Sequence, residues 1–171
     1  MNFEIEGTPV NDDAPSAAAV SADAFVAISA LVADYGLAID AGDFERFRRI
    51  WARDAHFDAE PDLGVVEVPL VGRDAIVAAF ETMRARPRDR RTRHYTMNLR
   101  LTPGERGTVH GLSALLAVAM LKSDGSQVVH RTGWYRDVFV REDGAWRLQR
   151  RLLQYDVADP EPRPAARDVR P

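Results

Sequence analysis

Arg91-Thr92-Arg93-His94-Tyr95-Thr96-Met97-Asn98-Leu99-Arg100-Leu101 is the stretch whose reading decides the fold. Its polar and apolar residues alternate as a β-strand requires, because successive side chains of a strand point to opposite faces of the sheet. One face carries Thr92, His94, Thr96, Asn98 and Arg100, and the other Tyr95, Met97, Leu99 and Leu101. The apolar set needs a hydrophobic cover. The polar set looks either at water or into a cavity, and the neighbouring segments choose between them.

Downstream, residues 108–122, 127–141 and 145–155 read as three long strands, joined by the polar turns Ser123-Asp124-Gly125 and Glu142-Asp143-Gly144 that suit antiparallel hairpins. In the first of these strands both alternating sets are apolar: Leu112, Ala114, Leu116, Val118 and Met120 against Val109, Leu115, Ala117, Ala119 and Leu121. A strand apolar on both sides is covered on both sides. One cover is the helices upstream, and the other is expected to be a second copy of the chain. Tyr95 and Met97 can then face outward into that interface, which turns His94 and Asn98 inward.

Upstream, Ser21 or Asp23 is placed to cap a helix with the apolar stripe Phe25, Ile28, Val32, Tyr35 and Ile39. Beside it runs a row of small residues, Ser29, Ala33 and Gly36, that ends in Asp40 and leaves room for something to lie against the helix. Ala41-Gly42 breaks the helix. Asp43 caps a second over 44–53, packing Phe44, Phe47, Ile50 and Trp51. Short strands over 55–59 and 65–71 precede a third helix opened by Gly72-Arg73-Asp74, with Ile76, Phe80 and Met83 inward and Pro87 at its end. Helices first and an antiparallel meander afterwards predict an α+β fold, a curved sheet wrapped around N-terminal helices. The domain is expected over 21–157, between a flexible leader over 1–20 and a Pro-rich tail over 158–171.

The chain has 171 residues, enough for one domain with a real core, and a net charge of −3, which offers no footprint for nucleic acid. The Arg-rich run from Arg84 to Arg93 is broken by Pro87 and Asp89 and reads as a solvated connection. There is no cysteine, so thiolate chemistry and disulfides are excluded. No signal peptide and no membrane-spanning run are expected, which makes the cytoplasm the default compartment. Neither a His-Glu-x-x-His pattern nor a Gly-rich phosphate loop occurs, so no metal and no cofactor are expected.

Chemistry then rests on His94 and Asp40. A histidine whose ring is held by a carboxylate inside an apolar cavity makes a general base for a carbon-bound proton. Tyr35 lies five residues before Asp40, about 140° around an ideal helix, so both reach one pocket only if it is wide or the helix ends early. Phe57, Val65, Phe80, Met97, Leu116 and Trp134 are candidates for an apolar lining suited to a steroid, terpenoid, polyketide or small aromatic substrate. His130 shares a strand face with Thr132 and Trp134 and is a candidate for the pocket mouth; His56 and His110 read as surface or rim residues.

Five segments in order carry a family resemblance: 35–44 (Tyr35-Gly36 through Asp43-Phe44), 51–57 (Trp51 through Phe57), Gly72-Arg73-Asp74-Ala75-Ile76, His94 through Leu101, and 141–148 (Arg141 through Leu148). Together they resemble the SnoaL-like, scytalone dehydratase-like branch of the nuclear transport factor 2-like superfamily, which includes hexachlorocyclohexane dehydrochlorinase and bile-acid 7α-dehydratase. The resemblance implies a cone-shaped fold and an Asp–His base at Asp40 and His94 acting in elimination or isomerisation without metal or organic cofactor. It implies Tyr35 as a third catalytic residue, and an assisting arginine late in the last strand, where Arg151 is favoured over Arg150. Asn98 would hold substrate or a pocket water, alongside Trp134, His130 and Met97. A homo-oligomer is implied, a trimer or a dimer. The run Arg91-Thr92-Arg93-His94 and the segment 146–151 also resemble the non-catalytic β-subunit of ring-hydroxylating dioxygenases, and a ligand-binding or scaffold module of the same fold is a third possibility.

Overall fold

The computed structural model describes residues 19–62 and 64–156. The expected tail over 158–171 lies outside the described residues, as does the leader except for residues 19 and 20.

Helix α1 (Ala22–Ala41) starts at Ser21, whose hydroxyl oxygen accepts the Ala24 N–H at 3.2 Å, and stops at Gly42, which takes the left-handed conformation at φ 75°. Ile28, Val32, Tyr35 and Ile39 are buried as the stripe predicts, joined by Leu31, while Phe25 in the first turn stays exposed. By length and composition α1 could cross a bilayer, where no membrane-spanning run was expected; Ile28, Leu31, Val32, Tyr35, Ala38 and Ile39 belong to the core of the domain, and Phe25, Val26 and Leu37 are exposed. Asp43 accepts the Arg46 N–H at 2.9 Å and caps α2 (Phe44–Ile50). This helix ends earlier than the expected 44–53, because Trp51 is already extended and opens strand β1 (Trp51–Glu60), where it is fully buried. Strand β2 (Leu70–Val71) is only a short edge piece, and α3 (Arg73–Ala85) buries Ile76, Val77, Phe80 and Met83.

The meander follows as β3 (Arg90–Pro103), β4 (Val109–Leu121), β5 (Gln127–Glu142) and β6 (Ala145–Tyr155). The six strands form one sheet in the order β2-β1-β6-β5-β4-β3, all pairs antiparallel except β1 with β6. The helices lie on one face of it, α1 along β3 and β6 and α3 along β1. The core between them is largely aromatic: Phe47 sits 5.5 Å from Tyr35 and 5.1 Å from Phe80, centroid to centroid.

β4 behaves as its two-sided composition requires. Ser113, Leu115, Ala117 and Ala119 are buried against the helices, and Leu112, Leu116 and Val118 stand half-buried on the outer face. The register there aligns Met97, Ala114 and Trp134 in one row across three strands, and Tyr95, Leu116 and Thr132 in the next.

The alternation of the decisive strand does not run unbroken. A bulge between Met97 and Arg100 adds one residue to β3, with Asn98 in the left-handed region at φ 56°. Asn tolerates that conformation, and one extra residue reverses which side chains point inward. Thr92, His94 and Thr96 face the helices before it; Leu99 and Leu101 pack against the core after it.

Candidate active site

A cavity of about 430 Å³ opens between α1, α3 and the inner face of the sheet. Phe57, Phe80, Leu115 and Leu153 supply apolar wall, and Tyr35, Tyr135 and His94 supply polar atoms.

Asp40 is carried by the last turn of α1 and His94 by the inward phase of β3. What brings the two elements together is Gly36, one turn before Asp40. A Cβ added there would meet the His94 carbonyl oxygen at 3.1 Å and the His94 Cβ at 3.6 Å. At Gly36 the small-residue row therefore makes room for β3 itself, and not for a ligand. Asp40 Oδ1 lies 2.7 Å from His94 Nδ1, and Oδ2 accepts the His94 backbone N–H at 2.9 Å. One carboxylate thus fixes both the ring and the strand that bears it. With an ionised carboxylate as partner, Nδ1 carries the hydrogen and Nε2 the lone pair. His94 lines the cavity, whereas Asp40 sits behind it, nearly buried. Arg84 donates to the Asp40 carbonyl oxygen at 3.2 Å and pins the helix end.

Tyr35 also lines the cavity, and Tyr135 packs edge-on against it at 5.7 Å. The guanidinium of Arg151 stacks between the two rings, 4.0 and 3.9 Å from their centroids. Alternation allows only one of Arg150 and Arg151 to point inward, and it is Arg151 that is buried while Arg150 is exposed. Its place differs from the expected one: it stands behind the tyrosines, outside the cavity lining, and pairs with the buried Asp137 through contacts of 2.8 and 2.7 Å. A substrate in the cavity meets the tyrosines, not this arginine.

Burial pushes the Tyr35 hydroxyl up to about 12, with the Arg151 charge pulling the other way. Tyr35 is therefore a phenol, a hydrogen-bond donor, at any working pH. Because the folded state holds this proton more tightly than the unfolded chain, its contribution to stability is intact below about pH 10 and is lost as pH rises through about 12. An alkaline titration followed at the phenolate absorbance band should show Tyr35 ionising late, together with unfolding, in a step that it shares with the equally buried Tyr135 and that Tyr35→Phe reduces; a phenolate signal complete by about pH 10 with the fold intact would contradict the burial argument.

Four expected pocket residues lie elsewhere. Asn98 is exposed at the bulge, whose left-handed turn takes it out of the inward phase. Met97 and Trp134 stand on the outer face, 41% and 44% exposed, because they share a row with Ala114 on the side of β4 away from the helices; Leu116 is on that side too. His130 does line the mouth, by a route alternation does not give: it is the extra residue of a bulge between Ala117 and Val118, so Trp134 is not its face-mate. Burial, then Arg131 and Arg90, depress its pKa and favour the neutral ring. His56 and His110 are exposed.

The rim differs from the solvated connection that the Arg-rich run suggests: Arg88, Asp89 and Arg90 line the cavity together with Arg131. The signal was available in the position of the run, since it feeds directly into the strand that carries His94. Among the described residues no cluster of three metal-ligating side chains occurs.

The sequence profile of the SnoaL-like domain matches residues 21–152. No curated protein matches the sequence significantly. Among solved structures, ActVI-ORFA from Streptomyces coelicolor is similar at 20% identity and a TM-score of 0.67, over 77% of this chain and 96% of its own. A scytalone dehydratase candidate from Novosphingobium aromaticivorans is 22% identical over 78% of this chain and 84% of its own, with a TM-score of 0.64. LinA is 23% identical over 79% and 87%, also with a TM-score of 0.64. At these identities the likeness is one of fold.

Proposed function

The chain belongs to the SnoaL-like domain family, and from that premise we propose that it is a cofactor-independent lyase or isomerase acting on a small hydrophobic molecule. The observation that carries this reading is the 2.7 Å contact between Asp40 and His94 at the wall of an apolar cavity. His94 Nε2 takes a proton from a carbon next to a carbonyl, and Asp40 stabilises the imidazolium that forms. The electron pair released moves towards the carbonyl, where the Tyr35 hydroxyl donates a hydrogen bond to the oxygen that gains charge. If a hydroxyl stands on the adjacent carbon, the pair then expels it as water, taking the proton from the imidazolium; without one, His94 returns the proton to a different carbon and the result is isomerisation. The fold is shared with a scytalone dehydratase candidate and with LinA, which supports elimination as the first choice. Neither a dioxygenase β-subunit nor a scaffold module calls for an oriented histidine base facing a largely apolar cavity.

The test is incubation of the protein in deuterium oxide with a panel of hydroxylated steroids and polyketides, followed by mass spectrometry. Loss of water or uptake of deuterium at one carbon, both absent with His94→Gln, is the expected result. Exchange that persists in His94→Gln would remove His94 from the chemistry.

We further infer that the outer sheet face, with Met97, Tyr95 and Trp134 in adjacent rows, is covered by another copy of the chain in a dimer or trimer. Sedimentation equilibrium should find the oligomer, and Met97→Lys with Trp134→Lys should release monomers; a wild type monomeric at micromolar concentration would overturn this.

A further inference from the structure

The rim of the cavity holds more positive charge than its neighbours neutralise. Arg88, Arg90 and Arg131 all line it. Arg90 is bound to Asp89, at 2.7 Å. Arg88 and Arg131 take part in none of the ion pairs among the described residues. The other carboxylate on this rim, Asp62, accepts the Gly64 N–H at 2.8 Å. Arg131 is also held in place: its guanidinium lies 5.0 Å above the Tyr155 ring, and its Nη1 is buried without a hydrogen-bond partner among the described residues. Arg88 donates to the Met83 carbonyl oxygen at 2.9 Å, and the crowding of Arg84, Arg86 and Arg90 adds to burial in lowering its pKa. An oriented, unpaired guanidinium beside an apolar cavity is a receptor for an oxyanion.

The sheet register sets the distance. His94 pairs with Ala117 on β4, and Ala117 pairs with Arg131 on β5, so the three lie in one row across the inner face. Two strand spacings separate the backbone of His94 from that of Arg131 by about 10 Å. Between them stands Ala117, whose methyl group leaves the floor of the cavity open. One end of the row abstracts a proton and the other end offers a cation.

We propose that the substrate is amphipathic, with a carboxylate bound by Arg131 and Arg88 at the rim and its reacting carbon several bonds away, over Ala117 and against His94. A carboxylate fits better than a phosphate ester. Three arginines against two carboxylates leave an excess of about one charge, enough for a monoanion and too little for a dianion. This inference rests on the proposed site and narrows its substrate class.

The test uses anthracenecarboxylate and its methyl ester as probes of equal shape, with binding to the full chain measured by calorimetry. The acid should bind about tenfold or more tighter than the ester, and raised salt should weaken the acid alone. Arg131→Gln should cut the preference to less than about twofold with ester affinity retained, whereas Arg131→Lys, which keeps the charge and checks the fold, should retain part of it. Equal affinity of acid and ester, absence of acid binding, or equal weakening of both by Arg131→Gln would overturn the proposal. His94→Gln should keep the acid preference. Loss of that preference alongside intact deuterium exchange therefore sinks only the carboxylate site. Absent exchange with the preference intact sinks only the catalytic reading.

Discussion

Exchanging His94 for Gln should lower turnover by about 10²–10⁴-fold, the range that a positioned general base contributes. Gln keeps a polar side chain of similar reach but can neither accept a proton at working pH nor hand it back. Asp40→Asn should lose most of the same factor by a different route. Its amide no longer forces Nδ1 to be the donor, so the neutral ring loses its fixed tautomer, and the imidazolium loses its counter-charge. Asp40 Oδ2 also accepts the His94 backbone N–H at 2.9 Å, so the change loosens the strand as well as the ring. Two residues that act as one unit are not additive, and the double variant should be hardly worse than His94→Gln alone. Deuterium exchange into a panel substrate measures all three without knowledge of the final product. A His94→Gln protein within about threefold of wild type would end the dyad reading.

Asp137→Ala should destabilise the fold by about 3–5 kcal/mol, which for a chain of this size lowers the melting temperature by roughly 6–20 °C. The side chains of Arg151 and Asp137 are both 0% exposed, and the guanidinium has nowhere to go but between Tyr35 and Tyr135. Burial opposes its charge, yet the charge and hydrogen bonds of Asp137 outweigh that, so Arg151 holds its proton more firmly than in water. Removing Asp137 strands a cation in the core. Its Nη1 already has no hydrogen-bond partner among the described residues, so no spare acceptor takes over. The double change Asp137→Leu with Arg151→Met removes both charges and should recover most of the loss, because a buried pair is roughly balanced between desolvation and attraction. Denaturant melts of the three proteins decide it; an Asp137→Ala protein within about 1 kcal/mol of wild type would mean that the site relaxes or admits water. Since both tyrosines line the cavity, the damaged variant should also lose ligand affinity.

Much of the architecture was legible along the chain because its signals are local. Asp43 caps the helix it was expected to cap, Ser21 is the one of the two candidates, Ser21 and Asp23, that caps α1, and the Gly-containing turns after β4 and β5 join hairpins. The two-sided β4 correctly indicated helices on one face and an apolar outer face. Alternation in β6 required that only one of Arg150 and Arg151 point inward; the packing chose Arg151. Asp40 at the end of the small-residue row and His94 on the polar face of its strand stood out as candidates, and the order of family segments paired them, since residues 54 positions apart carry no distance in their spacing.

By itself, then, the sequence determined the element order, the caps, the faces of undisturbed strands, and the identity of the two residues that could form a base. Only the tertiary structure decided which phase each strand keeps and what meets across the core. A bulge adds one residue and inverts every side chain beyond it, which put Asn98 outside and brought His130 and Arg131 together at the rim. Proximity is likewise not periodic. That Gly36 admits the backbone of His94, that Arg151 serves Asp137 and two tyrosines instead of a substrate, and that Arg88 and Arg131 meet without an ion-pair partner among the described residues at the cavity rim follow from the packing of helices on a curved sheet, which no local pattern encodes.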